Sequence, residues 1–338
     1  MDFQLTDDQR ALRAGVRELL AGRFPRERLR EAVDRARVVD RGLWRELGAA
    51  GFFSLRMPED AGGAGLGTAE AVLVFEEAGR VLLPGPLVAT HLAAGHVEGA
   101  AEGEAVVAVA EPGVGGTAMV EYLAQADALL VGTEEGVRLR VLAADAADVA
   151  DAASAAAQWA VRPVRSVDPL TPLHRVAVGE AGALGPTGGG PIAGVLGLPV
   201  GRFRREATLL TAAEQCGSAA RTVEMAVEYA GVRHQFGQAI GTFQAVKHLC
   251  ADMLVRAEMG RTAVYAAAVT GDPQEAAAAK LLADEAAVRN ARDCLQVFGG
   301  MGFTWEADVH LHLKRAWVRV ERFMGAREAE EALAAGLS

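Results

Sequence analysis

Arg233-His-Gln-Phe-Gly-Gln-Ala-Ile-Gly-Thr-Phe-Gln244 joins the end of one apolar-periodic stretch to the start of another. Upstream of it, Leu209, Ala213, Gly217, Ala220, Val223, Val227 and Ala230 recur at helical spacing, which predicts a long helix ending near Arg233. Gly237 and Gly241 break that pattern, and Gln244 opens the next helix, where backbone N–H groups favour anions. Arg233 is a planar fork of donors that cannot be deprotonated, so it suits a pyrophosphate better than a lysine would. A second segment, Gln296-Val-Phe-Gly-Gly-Met-Gly-Phe303, follows another helical stretch. Gln296 offers an amide that donates and accepts, while Gly299, Gly300 and Gly302 let backbone approach a flat or charged ligand closely. Taken singly, each segment also reads as an ordinary helix end, with a glycine cap and an arginine complementing the dipole. Together they suggest a site for an anionic dinucleotide, with a flavin as the candidate.

The 338 residues suffice for two or three domains with sizeable cores, and an apolar share of 51% supports globular packing. A net charge of −10, with no Lys/Arg block, argues against a nucleic-acid partner. Cys216, Cys250 and Cys294 form no CxxC pair, and His310 and His312 stand two apart on different helix faces, so no metal site is expected. An N-terminus carrying Asp2, Asp7 and Asp8 in place of a basic, then apolar leader, and the lack of any spanning run, point to a cytoplasmic protein without membrane insertion. Ser54, Ser154, Ser166 and Ser218 lack a nucleophile-elbow setting, which leaves a hydrolase without support.

The chain opens helically. Thr6 and Gln9 make a capping box ahead of Leu12, Val16 and Leu19, with Gly22 expected to close that helix. Helices are also expected over 26–37, 42–50 and 68–79, and after Pro86. From Gly99 to Gly201 come short β-prone runs, 105–109, 128–131, 137–141 and 174–178, which predict a small antiparallel β-domain. The alanine-rich stretch 143–160 fits either a helical excursion or a loop. The last third returns to long helices, ending near Arg233, spanning 243–269, beginning at Asp272-Pro-Gln-Glu275 with N-cap and N1 proline and running to Val297, and covering 308–324 with continuation toward Ala335. Asp308 and Glu306 read as caps of that last helix. Four long helices with short connections predict an antiparallel bundle. The divisions are 1–98 for the N-terminal α-helical domain, 99–201 for the β-domain and 202–338 for the C-terminal four-helix bundle.

Both glycine-bearing segments resemble the flavin-binding signatures of the acyl-CoA dehydrogenase family. So do Phe3-Gln-Leu-Thr-Asp-Asp-Gln9, Arg41-Gly-Leu-Trp-Arg-Glu-Leu-Gly-Ala-Ala-Gly-Phe52 with Pro58-Glu-Asp-Ala-Gly-Gly-Ala-Gly-Leu66, and Gly302-Phe-Thr-Trp-Glu-Ala-Asp-Val-His-Leu-His-Leu-Lys-Arg-Ala316. The middle third matches poorly. The resemblance implies a mainly α fold with a reduced β-domain, FAD as cofactor, and assembly of the bundles into dimers or tetramers. It carries Arg233, Phe236, Gln244, Gln296, Gly299 and Gly300 over as cofactor-binding residues. These grip the pyrophosphate and adenosine half of a flavin whose ring lies in the neighbouring subunit. The ring-binding half departs from the family pattern, since Ala110-Glu-Pro-Gly-Val-Gly-Gly-Thr117 lacks its Ser-Asp pair and no Trp-Ile-Ser/Thr segment follows. Glu111 therefore reads as a turn or surface residue.

The family's reaction, as the resemblance implies it, removes the α-proton of an acyl-CoA thioester with a carboxylate while the β-hydride passes to the flavin. The two positions where members place that base fall here on Ala207 and Phe323. Glu206 and Glu321 are the nearest carboxylates, but on a helix their offsets of one and two residues turn the side chain away by roughly 100° or 200°. The expected function is a subunit of an FAD-dependent acyl-CoA dehydrogenase that forms a 2-enoyl-CoA, passes electrons to an electron-transfer flavoprotein and completes the flavin site of a second, related subunit. A self-sufficient homo-oligomeric flavoenzyme with a displaced base and a flavin-free structural or acyl-binding scaffold protein are the alternatives.

Overall fold

A computed structural model of the chain describes residues 4–35, 39–111, 116–133, 136–142, 161–177 and 192–336. Two compact units emerge, one of Met1–Arg30, Thr68–Leu83 and Thr208–Ser338, the other of Glu31–Gly67 and Pro84–Ala207.

The first unit is helical. Helix α1 (Asp7–Arg23) opens on the predicted capping box, in which Thr6 Oγ1 accepts from Gln9 N–H at 3.1 Å and Gln9 Oε1 accepts from Thr6 N–H at 3.1 Å. Gly22 does not close it. The helix continues to Arg23 and turns where the buried Phe24 begins. Helix α2 (Arg26–Arg35) follows, and its first residues belong to this unit. Helix α4 (Thr68–Arg80) is buried from Ala71 to Gly79, including two consecutive carboxylates. Each is satisfied: Glu77 receives the Arg17 fork at 2.8 and 2.6 Å, and Glu76 receives Arg261 Nε at 2.9 Å and the Tyr265 hydroxyl at 2.6 Å. Buried charges persist only when paired in this way.

Helices α6 (Val200–Val232), α7 (Gln244–Thr270) and α8 (Pro273–Phe298) form the body of the bundle. Asp272 caps α8 through the Gln274 and Glu275 N–H groups, with Pro273 at the first position, as the sequence predicts. Small side chains (Ala219, Ala226, Ala230, Ala257, Ala286 and Ala291) let the helices approach closely around Met253, Val223 and Leu295. Gly217 is required by contact, because a Cβ there would stand 1.8 Å from the Glu76 carbonyl oxygen of α4. The predicted final helix is broken in two, α9 (Val309–Arg319) and α10 (Ala326–Ala335), with Phe323 between them in the left-handed region at φ 60°. At the break, buried Lys280 of α8 pairs with Asp284 and donates to the carbonyls of Arg319 (3.1 Å) and Val320 (3.4 Å), satisfying acceptors that the end of α9 leaves open. Burial pushes the Lys280 ammonium below its ordinary pKa and the Asp284 carboxyl above its own.

The second unit packs α3 (Arg41–Ala49) and α5 (Leu87–Ala93) with two sheets of order β1-β3-β4-β7 and β2-β6-β5. The strands are β1 (Val107–Ala110), β2 (Thr117–Glu121), β3 (Ala128–Thr133), β4 (Gly136–Val141), β5 (Arg162–Val164), β6 (Leu173–Ala177) and β7 (Ile192–Leu196). Ala108, Ala110, Ala118, Val120, Leu129, Val131 and Val176 form the core of these strands. The domain is not wholly antiparallel. β1 and β3 pair in parallel because the chain leaves the first sheet for β2 in the second and then returns. β2, β5 and β7 escape the sequence reading because they are short and interrupted by Arg, Pro, Gly or Ala. The stretch 143–160 lies outside the described residues. Trp44 of α3 is buried and donates to the Ala105 carbonyl at 3.3 Å, and Gly85, at φ 118°, lies where a Cβ would strike its ring. Among the described residues, no helix is long and apolar enough to cross a membrane.

His91 of α5 is buried, with its Nδ1–H donating to the Phe52 carbonyl at 3.2 Å. Burial, reinforced by the Arg56 guanidinium, pushes its pKa down to about 4. The unfolded chain binds this proton near pH 6.5, so His91 destabilises the fold as pH falls from about 6.5 to about 4, by up to about 3 kcal/mol. The assigned imidazole resonances should therefore titrate near pH 4 in the folded protein. A midpoint near 6.5 would contradict the burial.

Candidate flavin site

Helix α6 ends at Val232, and the Arg233 N–H bonds back to the Tyr229 carbonyl at 2.9 Å. A minimal hairpin follows, β8 (His234–Gln235) against β9 (Gln238–Ala239), closed by the Ile240 N–H on the Arg233 carbonyl at 2.8 Å. Its tip residues, Phe236 (φ 52°) and Gly237 (φ 78°), are both left-handed, the backbone of a type I′ turn. Phenylalanine is costly there. Phe236 is 92% exposed, with its ring edge-on to Phe243 at 6.1 Å. Helix α7 then starts at Gln244 with no side-chain cap and no acid in its first turn; the Val246 and Lys247 N–H groups bond to the Phe243 carbonyl, leaving those of Gln244 and Ala245 open to an anion.

At the end of α8, Gly299 takes φ 59° and ψ −139°, a region essentially confined to glycine, and opens a 3₁₀ segment, Gly299–Phe303. Gly300 differs, since a Cβ there would meet nothing within 4 Å. Nothing within the chain demands a glycine at that position, as expected of a surface that an outside molecule approaches. Gly302 is a packing residue, close to Leu295 and Phe298.

The fold brings the two segments together. The Tyr229 ring stacks on Phe298 at 4.1 Å and 13°, and Ile240 packs against the cluster that holds Leu295 and Val297. Arg233 lies one turn beyond Tyr229, and Gln296 lies just before Phe298. All six candidates, Arg233, Phe236, Gln244, Gln296, Gly299 and Gly300, are exposed. The side chains of Arg233, Gln244 and Gln296 have no hydrogen-bond or ion-pair partner among the described residues. A guanidinium fork, two amides, an uncapped helix start and a glycine surface fit the pyrophosphate and adenosine of FAD. The ring stack that joins the segments has no local signal in the sequence.

The two positions at which the resemblance would place a catalytic base are a different matter. Ala207 is fully buried and Phe323 is 6% exposed, with the Arg322 guanidinium over its ring at 5.1 Å. Glu206 accepts from Arg56 Nη1 at 3.0 Å and from Arg202 Nε at 2.8 Å. Burial pushes its carboxyl up, but the two arginines outweigh it and hold the pKa below the ordinary value. A carboxylate so stabilised is a poor proton acceptor. Glu321 is exposed. Glu111 is paired with Arg204 at 3.1 Å, and residues 112–115 of its motif lie outside the described residues. His310 and His312 diverge: His312 Nδ1 meets Ser218 Oγ at 2.8 Å in the bundle interior, whereas His310 abuts the Trp305 ring at 4.8 Å. Asp308 occupies the N-cap position of α9 but does not cap it. Its carboxylate is taken instead by Arg26 and Arg30 of α2.

Residues 6–102 match the model of the acyl-CoA dehydrogenase N-terminal domain, and 201–328 match that of the acyl-CoA dehydrogenase C-terminal domain. Over 332 residues the chain is 34% identical to acyl-CoA dehydrogenase IpdE2 of Mycobacterium tuberculosis, covering 95% of each. It belongs to the acyl-CoA dehydrogenase family. It is also 35% identical over 293 residues to acyl-CoA dehydrogenase FadE34 of the same organism, covering 82% of this chain and 39% of that protein. Among solved structures, a chain of the ChsE4-ChsE5 complex from Mycobacterium tuberculosis is 26% identical, with a TM-score of 0.79 and coverage of 100% of this chain and 99% of that one. The protein is thus of the FAD-dependent flavin oxidoreductase type that acts on acyl-CoA thioesters, with the helical ends and β middle of that fold.

Proposed function

We propose that this acyl-CoA dehydrogenase family chain is the non-catalytic subunit of a hetero-oligomeric enzyme that oxidises an acyl-CoA to a 2-enoyl-CoA, and that it completes the flavin site of a catalytic partner. The observation that carries this reading is the chemistry at the two base positions: Ala207 and Phe323 cannot take a proton, and Glu206 beside the first is held by two arginines. In such an assembly Arg233, Gln244 and Gln296, with Gly299 and Gly300, hold the pyrophosphate and adenosine of FAD. When bound, FAD would supply the hydride acceptor for the acyl β-carbon, with the α-proton assigned to a carboxylate of the partner. Electrons then pass to an electron-transfer flavoprotein. The ChsE4-ChsE5 relative, solved as a complex of two chains, is a precedent for pairing within this fold.

The test is co-purification with a second acyl-CoA dehydrogenase-like subunit, followed by reduction of an artificial electron acceptor with a panel of acyl-CoA thioesters. The complex should be yellow and active, and Glu206→Gln or Glu321→Gln in this chain should leave turnover within about two-fold, since neither acts as the base. Loss of activity in either variant, with flavin retained, would return the base to this chain and overturn the proposal.

A further inference from the structure

The Gly-rich segment after α8 is a 3₁₀ turn, Gly299–Phe303, with Gly302 packed on Leu295 and Phe298. Met301 and Phe303 are exposed at 42% and 79%, and beyond the 3₁₀ turn the Thr304 N–H and hydroxyl bond to the Met301 carbonyl, the Ala307 N–H bonds to the Thr304 carbonyl, and Trp305 packs on His310 and Lys314. Its path is also fixed from its two ends. At one end Phe298 is stacked on Tyr229. At the other, Arg26 donates through Nε to Asp308 Oδ2 at 2.5 Å and through Nη2 to the Glu306 carbonyl at 2.8 Å, and Arg30 pairs with Asp308 Oδ1. Asp308 is 15% exposed and Arg30 20%, so this pair is better shielded from solvent than an ordinary surface ion pair. Asp308 stands where an aspartate would ordinarily cap α9, yet it leaves those N–H groups uncapped and turns to the two arginines.

We propose that Arg26 and Arg30 are positioning residues for the flavin grip: by clamping Asp308 and the Glu306 carbonyl, they set the path of Gly299–Ala307 and hold Gly299 and Gly300 where FAD meets them. The inference rests on the reading that this segment contacts FAD. A guanidinium fork spanning a carboxylate and a neighbouring carbonyl fixes direction as well as distance, which a lone lysine would not.

The test uses the flavin-bearing assembly and compares FAD titrations of wild type, Asp308→Asn, Arg26→Ala, the double variant and Arg233→Ala, with light scattering and far-UV circular dichroism alongside. Asparagine caps helices as well as aspartate does, so Asp308→Asn removes the charge that the two arginines pair with without removing a potential cap. It should raise the FAD dissociation constant by roughly 3- to 30-fold at unchanged mass and helicity. Arg26→Ala should act in the same direction but more weakly, because Arg30 remains. The double variant should fall short of the product of the two single effects, as expected of residues that share a contact. Unchanged FAD affinity in Asp308→Asn while Arg233→Ala loses it would overturn the clamp alone. Unchanged affinity in both would overturn the flavin assignment on which it rests. Loss of helicity or of assembly in Asp308→Asn would make the arginines supports of the fold, and would also overturn the proposal.

Discussion

The chain purified by itself and supplied with FAD should oxidise acyl-CoA thioesters roughly 10²- to 10⁴-fold more slowly than an ordinary member of its family, the usual worth of a general base. Ala207 is sealed inside α6, and Phe323 sits at a left-handed backbone position beneath the Arg322 guanidinium. Neither place holds a group that can accept the α-proton. Glu206 does not rescue it, because a carboxylate bonded at 2.8 and 3.0 Å to two guanidiniums must give up both before it can take a proton. The assay is acceptor reduction across a range of acyl-chain lengths and shapes. Ordinary turnover by the lone chain would refute the non-catalytic reading outright, and Glu206→Gln would then identify whether that residue had become the base.

Replacing Arg233 with alanine should weaken FAD binding by roughly 10- to 150-fold, equivalent to losing charge-assisted hydrogen bonds of about 1.5–3 kcal/mol. Arg233 is exposed and its side chain has no partner among the described residues, so the substitution removes no internal contact. The bundle should remain folded while flavin is lost, with Arg233→Lys intermediate because it keeps the charge but not the fork. Flavin titration of the assembled oligomer measures this. Equal affinity in wild type and Arg233→Ala would remove Arg233 from the site.

Much of the fold was legible from local chemistry. The Thr6–Gln9 capping box, the Asp272-Pro273 helix start and the end of the long helix at Arg233 each depend on residues within one or two turns, so their sequence signals are sufficient. The places where the reading failed were settled by distant groups. The last helix ends where Lys280, on another helix, meets its terminal carbonyls, and β1 pairs in parallel with β3 because β2 belongs to another sheet.

The sequence by itself determined the inventory of the candidate site: a guanidinium, two amides and a run of glycines at helix ends, with apolar residues at both base positions. Residue type alone settles what can carry charge, donate a hydrogen bond or accept a proton. Tertiary structure decided which of these groups face outward together, through the Tyr229–Phe298 stack, and which are spent internally, as Glu206 is on Arg56 and Arg202 and Asp308 is on Arg26 and Arg30. The reason is physical. A side chain's chemistry is intrinsic, but its availability depends on partners brought within hydrogen-bond reach by packing between segments far apart in the chain, and no local pattern records that reach.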